Sequence, residues 1–338
     1  MFAPHRFAWP LLFRRLARAA GVAAAVSISL AVCGGKPASA IIVLGAQGRN
    51  TDPVTTAPAG SGYQYEGIWS NVLGTAIAPH YFVTAAHTGG TPGDLFTLGG
   101  VSYTTISHTT IAGTDLAVWQ VTQTIPAFAP LYNGSGEVTQ NIVVYGRGVQ
   151  SGDPLIVNGA AIGWNWGAYD GAESWGANQV DGVVNAPGLG DLLTFSFNGG
   201  TGPNEGILSP YDSGGGLFVD NNGTWQLAGV NYGVQVFYAA PPATGRPTAY
   251  SAAIYDARGL YEDNGDGTFG YIDPATNLQP VPQAAAASRI AGSAAQIAAI
   301  TGTGGVAPEP AAALLGAWGL PLVLLWARRT RRRTAPLK

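Results

Sequence analysis

Cysteine, methionine and charge are all scarce in this chain. Its 338 residues include one Cys and one Met, and Asp, Glu, Lys and Arg together make up only 10%. With a single cysteine, Cys33, no disulfide framework can close within the chain, so the core must hold without one. Lysine is missing altogether from residues 41–310, which carry five arginines and all 19 acids, a net charge of −14. A body so acidic repels phosphate backbones, which excludes nucleic acid as a partner and favours solubility outside the cell. The periods of collagen and of coiled coils are absent, as is any internal repeat. What is abundant is apolar material, 46% of the chain, and glycine, with 49 residues. This supplies a sizeable core and excludes a long disordered chain, over a length that suits one large domain or two small ones.

Basic residues collect instead at the two ends. Arg14, Arg15 and Arg18 precede a mostly apolar stretch from Ala19 to Val32, and Ala38-Ser39-Ala40 follows as a small-residue cleavage site. Residues 1–40 thus read as a secretory signal, removed by signal peptidase and taking Cys33 with it. At the other end Pro308-Glu309-Pro310 is followed by 16 uncharged residues, Ala311 to Trp326, and by the basic cluster from Arg328 to Arg333. In that order the three parts of residues 308–338 resemble a PEP-CTERM protein-sorting signal. The resemblance implies an exosortase-type partner, transient anchoring in the inner membrane of a Gram-negative cell through the short apolar segment, and a final place at the cell surface or outside it.

Between these ends lie short runs rich in Val, Ile, Thr, Tyr and Phe, such as Tyr81-Phe82-Val83-Thr84, Ile142-Val143-Val144-Tyr145 and Leu192-Leu193-Thr194-Phe195, punctuated by Gly, Pro, Asn and Asp. The spacing predicts an all-β fold, and residues 41–281 exceed one small barrel and suit two packed barrels. Residues 282–307 shift to Ala, Gly, Ser and Thr, with Ile290, Ile297 and Ile300 at helical spacing, which predicts a short helix or a linker. Glu262-Asp263-Asn264-Gly265-Asp266-Gly267 partly fits a calcium loop, but Asn-Gly-Asp-Gly is at least as good a hairpin turn, and no metal is expected.

Three segments carry chemistry. Thr84-Ala85-Ala86-His87 closes a hairpin on a histidine, Thr114-Asp115-Leu116-Ala117-Val118 opens an apolar strand with an acid, and Asp212-Ser213-Gly214-Gly215-Gly216 sets a serine in a glycine-rich turn. Acyl transfer needs a hydroxyl nucleophile, an imidazole to take its proton, and a carboxylate to orient that imidazole. His80 and His108 lie in contexts that suggest no such role.

These blocks, in the order His, Asp, Ser, resemble those of the chymotrypsin/trypsin-like serine endopeptidases. The resemblance implies two packed six-stranded barrels and a catalytic set of His87, Asp115 and Ser213 that hydrolyses protein or peptide substrates without a cofactor. It implies an oxyanion hole from the backbone N–H groups of Tyr211 and Ser213. Where the family normally has glycine two residues before the nucleophile this chain has Tyr211, whose Cβ opposes the turn that points the amide at a substrate. Counting back from Ser213 puts the base of the primary specificity pocket at Ile207, an apolar site unless nearby Glu205 intrudes, with a wall from Asn231, Tyr232 and Gly233. Asp212 matches the acid that pairs with a mature N-terminus, here Ile41. The alternative function is a noncatalytic surface or matrix binding protein on the same fold.

Overall fold

The computed structural model describes residues 41–45, 56–241 and 248–302. A two-residue strand, β1 (Ile42–Val43), precedes the first barrel. That barrel is made by β2 (Glu66–Trp69), β3 (Val72–Ala78), β4 (Tyr81–Ala85), β5 (Leu95–Leu98), β6 (Val101–Ile111) and β7 (Leu116–Val121). The six strands close in the order β2-β3-β4-β7-β6-β5, with every pair antiparallel. Large aromatics fill part of the interior in place of cross-links: Phe82 stacks on Phe96 at 4.1 Å between ring centres, and Trp69 lies 4.7 Å from Trp119. All four are essentially fully buried, each stabilising the fold by about 2–3 kcal/mol through area removed from water.

The second half contains β8 (Asn141–Gly146), a long hairpin of β9 (Val149–Val157) and β10 (Ala160–Tyr169), then β11 (Ser174–Gln179), β12 (Gly182–Ala186) and β13 (Gly190–Ser196). After β14 (Gly206–Ile207) come β15 (Gly216–Asn221), β16 (Thr224–Val234), β17 (Phe237–Tyr238), β18 (Ala252–Ile254), β19 (Tyr261–Asp263), β20 (Phe269–Tyr271) and β21 (Ala284–Arg289). Seven of these form one sheet in the order β11-β8-β15-β16-β21-β13-β12. Its two end strands are consecutive in the chain and separated only by Val180-Asp181. Gln179 opposes Asn141 of β8, while Gly182 opposes Thr194 of β13 and the Asp181 amide donates to the Thr194 carbonyl at 2.8 Å. β11 and β12 thus act as one bent strand that joins the sheet's two edges. Asn178, buried at the bend, donates to the carbonyls of Ser196 (3.0 Å) and Gly206 (2.9 Å). Counting the bent strand once, the circuit has six strands, and the expected all-β, chymotrypsin-like pair of barrels holds.

The expected boundary at residue 281 does not coincide with the end of the second barrel. Residues 282–307 were expected to be helix or linker, yet they begin with β21, an interior strand paired with β16 and β13. Its Ala284-Ala285-Ala286-Ala287 run has helical propensity, but Ala285, Ala286 and Ala287 are wholly buried, and burial between two strands overrides that propensity. The helix follows as α1 (Ala294–Thr301), with Ile297 buried and Gly302 at φ 70° ending it.

Between β16 and β21 the chain makes a detour. Phe237, Ile254, Leu260, Ile272 and Val281 form a satellite core with Leu155 and Ile162, which props the β9–β10 hairpin. Within the detour, β19 and β20 pair as a hairpin, with Asp263 Oδ1 accepting from the Gly265 amide at 2.7 Å. Among the described residues no group of His, Cys, Asp or Glu could hold a metal ion, and no helix is long and apolar enough to cross a membrane. The export and sorting signals read at 1–40 and 308–338 lie outside the described residues, as does 303–307 of the expected linker.

Candidate active site

β4 pairs with β7 so that Ala85 opposes Leu116, which brings the turn after β4 against the residue before β7. The Ala86 amide donates to the Asp115 carbonyl at 2.8 Å, and a single 3-10 turn, Ala86–Thr88, presents His87. Asp115 then grips His87 twice. Its Oδ1 accepts from the His87 backbone amide at 2.9 Å, and its Oδ2 lies 2.6 Å from Nδ1. The buried carboxylate favours the tautomer with the proton on Nδ1, leaving Nε2 as an acceptor. Nε2 lies 2.8 Å from Ser213 Oγ. The structure therefore brings His87, Asp115 and Ser213 together. His80 and His108 are elsewhere, the first 3.4 Å from Thr124 Oγ1 and the second stacked on Trp119.

Ser213 is held by a turn threaded between the barrels. Gly214 has φ +87°, and a Cβ there would strike the Leu73 carbonyl and Thr84 Oγ1 of the first barrel. A Cβ at Gly215 would strike the Tyr145 carbonyl of β8 in the second. Close approach from both sides thus explains two of the three glycines; a Cβ on the third, Gly216, would crowd the Phe218 ring and the Glu66 carboxyl. Asn231 fastens the turn: its carbonyl accepts from Gly214 (2.9 Å), its amide donates to Gly215 (2.8 Å), and its Nδ2 donates to the carbonyls of Tyr145 (2.7 Å) and Asp212 (3.2 Å).

The register of β16 shifts between Asn231 and Gly233, and Tyr232 sits at that irregularity. Its ring meets His87 edge-on, with 5.7 Å between centres, and its carbonyl is 3.4 Å from Ser213 Oγ. Burial, and after it the charge of Asp115, pushes the Tyr232 hydroxyl up to about 12, so it stays neutral at physiological pH.

Tyr211 corrects one expectation. It adopts φ +75°, the left-handed turn that its Cβ was expected to oppose, at a cost of about 1–2 kcal/mol. Its half-exposed ring packs 5.0 Å from that of Tyr169. Among the described residues no acceptor pairs with the amides of Tyr211 or Ser213, so both donors are available to an oxyanion.

Two other expectations are also corrected. Ile207 is fully buried, opposite Ile42, and packs in the second barrel's core, so it offers no surface to a ligand. Nor does Glu205 reach into a pocket: its carboxylate accepts from the amides of Gly199 and Thr201 and organises their loop. Asn231, fully buried, secures the serine turn rather than facing substrate; of the expected wall, Tyr232 is also buried, packed with Ala186, Leu192 and Ala286, and only Gly233 is partly exposed. The expected Ile41–Asp212 pair requires a free amino group at Ile41, which in the intact chain is the peptide nitrogen after Ala40. The Ile41 nitrogen donates to Ser174 Oγ at 2.5 Å, because β1 is anchored on β14. Asp212 Oδ1 accepts from Gly148 (2.8 Å) and Oδ2 from the Ser209 amide (2.7 Å), and burial raises its carboxyl to about 7.

Sequence reasoning missed Glu66, Arg147 and Tyr169. Glu66 lies wholly buried in β2, and its carboxyl accepts from Thr75 Oγ1 (2.7 Å) and the Gly216 amide (3.2 Å). Nothing in its neighbourhood along the chain marks it, since Gly216 is 150 residues away.

No protein-family model matches the chain, and no curated protein matches it. Among solved structures it is similar to the Rv3671c protease in its inactive form, at 17% identity over 55% of this chain and 86% of that one, with a TM-score of 0.36. A serine-to-alanine mutant of Rv3671c from M. tuberculosis H37Rv, also inactive, gives 16% identity over 61% and 89%, with a TM-score of 0.36. The passenger domain of plasmid encoded toxin, an autotransporter enterotoxin from enteroaggregative E. coli, gives 19% identity over 58% of this chain and 21% of its own, again at 0.36. Likeness at this level carries no weight for function.

Proposed function

We propose that the chain is a serine endopeptidase, exported by the signal at 1–40 and sorted to the surface of a Gram-negative cell by an exosortase-type enzyme acting on residues 308–338. The observation that carries the catalytic part is the continuous hydrogen-bonded line from Asp115 through His87 to Ser213, at 2.6 and 2.8 Å. Ser213 Oγ attacks the carbonyl carbon of a peptide bond while its proton passes to His87 Nε2. The carbonyl oxygen becomes an oxyanion held by the Tyr211 and Ser213 amides, each donor lowering the barrier by about 3–4 kcal/mol. His87 returns the proton to the leaving amine as the C–N bond breaks. Water, deprotonated by the same imidazole, then hydrolyses the Ser213 ester. Asp115 orients His87 and stabilises its cation throughout. This chemistry calls for no cofactor. The mature protein should be labelled at Ser213 by a fluorophosphonate, and Ser213→Ala should abolish the label. A folded protein that leaves the reagent untouched would instead be a noncatalytic surface binder.

A further inference from the structure

Of the three described arginines, Arg258 is ion-paired with Asp256, and Arg289 with Glu137 and Asp191. Arg147 takes part in none of the ion pairs among the described residues, in a body that carries a net charge of −14 between residues 41 and 310. The arginine is also held in place. Its Nη1 donates to the Tyr169 hydroxyl at 2.6 Å, which donates in turn to the Asn71 carbonyl of the β2–β3 turn at 3.0 Å. Its Nε is buried without a hydrogen-bond partner, and Nη2 faces Gly171, where a Cβ would crowd it. Most of the guanidinium's donor capacity is therefore unused.

The sheet order fixes where this cation stands. β15 lies between β8 and β16, and Ser213 immediately precedes β15. Arg147 follows the last residue of β8, so it flanks the serine turn on one side while Tyr232 and Gly233 of β16 flank it on the other. The adjacency is close: the Gly148 amide donates to Asp212 Oδ1 at 2.8 Å, and the Val149 amide donates to the Pro210 carbonyl at 3.0 Å. The Tyr169 ring, 5.0 Å from that of Tyr211, completes an aromatic shelf beside the cation. A peptide lying extended across Ser213 would touch β16 on one side and this shelf on the other.

We propose that Arg147, steadied by Tyr169, is a specificity-determining residue that receives an Asp or Glu side chain of the substrate on the β8 flank of the scissile bond. A half-buried guanidinium with no carboxylate of its own gains most from a ligand that supplies one, because that ligand provides both the missing charge and a bidentate acceptor. An acidic substrate is repelled by the body as a whole, so its capture depends on this local cation. The inference rests on the endopeptidase reading for its substrate class, and its test is separable from that reading. Fluorophosphonate labelling of the wild-type protein tests the nucleophile. Arg147 is tested by binding to full-length Ser213→Ala protein of peptide pairs that differ only in Glu against Gln, or Asp against Asn, near the scissile bond. We expect the acidic member of a pair to bind at least about tenfold more tightly. Arg147→Gln should bring that ratio close to one, Arg147→Lys should keep part of it, and Arg147→Glu should favour Lys-bearing peptides. Equal binding of acidic and amide peptides by the Ser213→Ala protein would overturn the proposal, as would an Arg147→Gln variant that weakens both members of a pair alike.

Discussion

The Glu66 carboxyl accepts a hydrogen bond from the Gly216 amide at 3.2 Å, linking β2 of the first barrel to the strand that leads away from Ser213 in the second. With Thr75 Oγ1 on its other oxygen, the group has partners but no counter-charge. Burial raises its pKa from 4.5 to about 8, against the lowering effect of both hydrogen bonds.

That shift has a pH signature. Between 4.5 and about 8 the folded protein keeps a proton on Glu66 that the unfolded chain has lost, so this group's contribution to stability falls as pH rises and levels off above 8. While only the folded state holds the proton, the slope is about 1.4 kcal/mol per pH unit. Glu66→Gln retains an acceptor for Gly216 and removes the titration. Urea unfolding from pH 5 to 9 should therefore give a wild-type curve that declines relative to the variant's, and parallel curves would contradict the assignment. Asp212, raised to about 7, adds a similar decline at lower pH in both proteins.

Replacing Gly214 by Ala forces a side chain onto a left-handed residue facing the Leu73 carbonyl. Strain and overpacking together should destabilise the protein by about 3 kcal/mol and displace Ser213 from His87. Thermal unfolding and fluorophosphonate labelling should both register the change. A variant with wild-type melting would show that the turn is not wedged between the barrels.

Asn231→Ala removes the donor that serves the Tyr145 and Asp212 carbonyls and leaves both buried oxygens short of a partner. The expected loss is about 2 kcal/mol in urea titration, with slower labelling at Ser213 because the turn loosens. Substrate affinity should change less than the labelling rate. The opposite pattern would return Asn231 to the substrate wall.

Asp115→Asn keeps the shape of the side chain but no longer imposes Nδ1–H on His87. Peptide hydrolysis should fall by about 10⁴ in kcat with the circular dichroism spectrum unchanged. Activity within tenfold of wild type would mean that Asp115 does not orient the base.

Much of the site was legible because each of its three groups sits in a distinctive local context. His87 ends a hairpin, Asp115 opens a strand, and Ser213 is followed by glycines whose lack of Cβ the turn requires. β21 was not legible, since an alanine run reads as helix until two neighbouring strands bury it. Ile207 was misplaced because counting residues back from Ser213 says nothing about which of them a strand pairing buries, and Ile207 lies in β14 against Ile42. The Tyr211 turn was discounted on the cost of its Cβ, yet the cost of about 1–2 kcal/mol is small enough for the surrounding fold to impose the conformation.

Composition and pattern alone determined that this is an acidic, disulfide-free β-protein bearing one histidine, one aspartate and one serine in contexts suited to acyl transfer. Only the tertiary structure decided that these three groups meet, that Glu66 braces the serine strand, and that Arg147 stands without an ion pair beside it. The reason is physical: strand pairing depends on alternation that can be read over a few residues, whereas burial and charge compensation depend on neighbours the chain brings in from more than a hundred residues away.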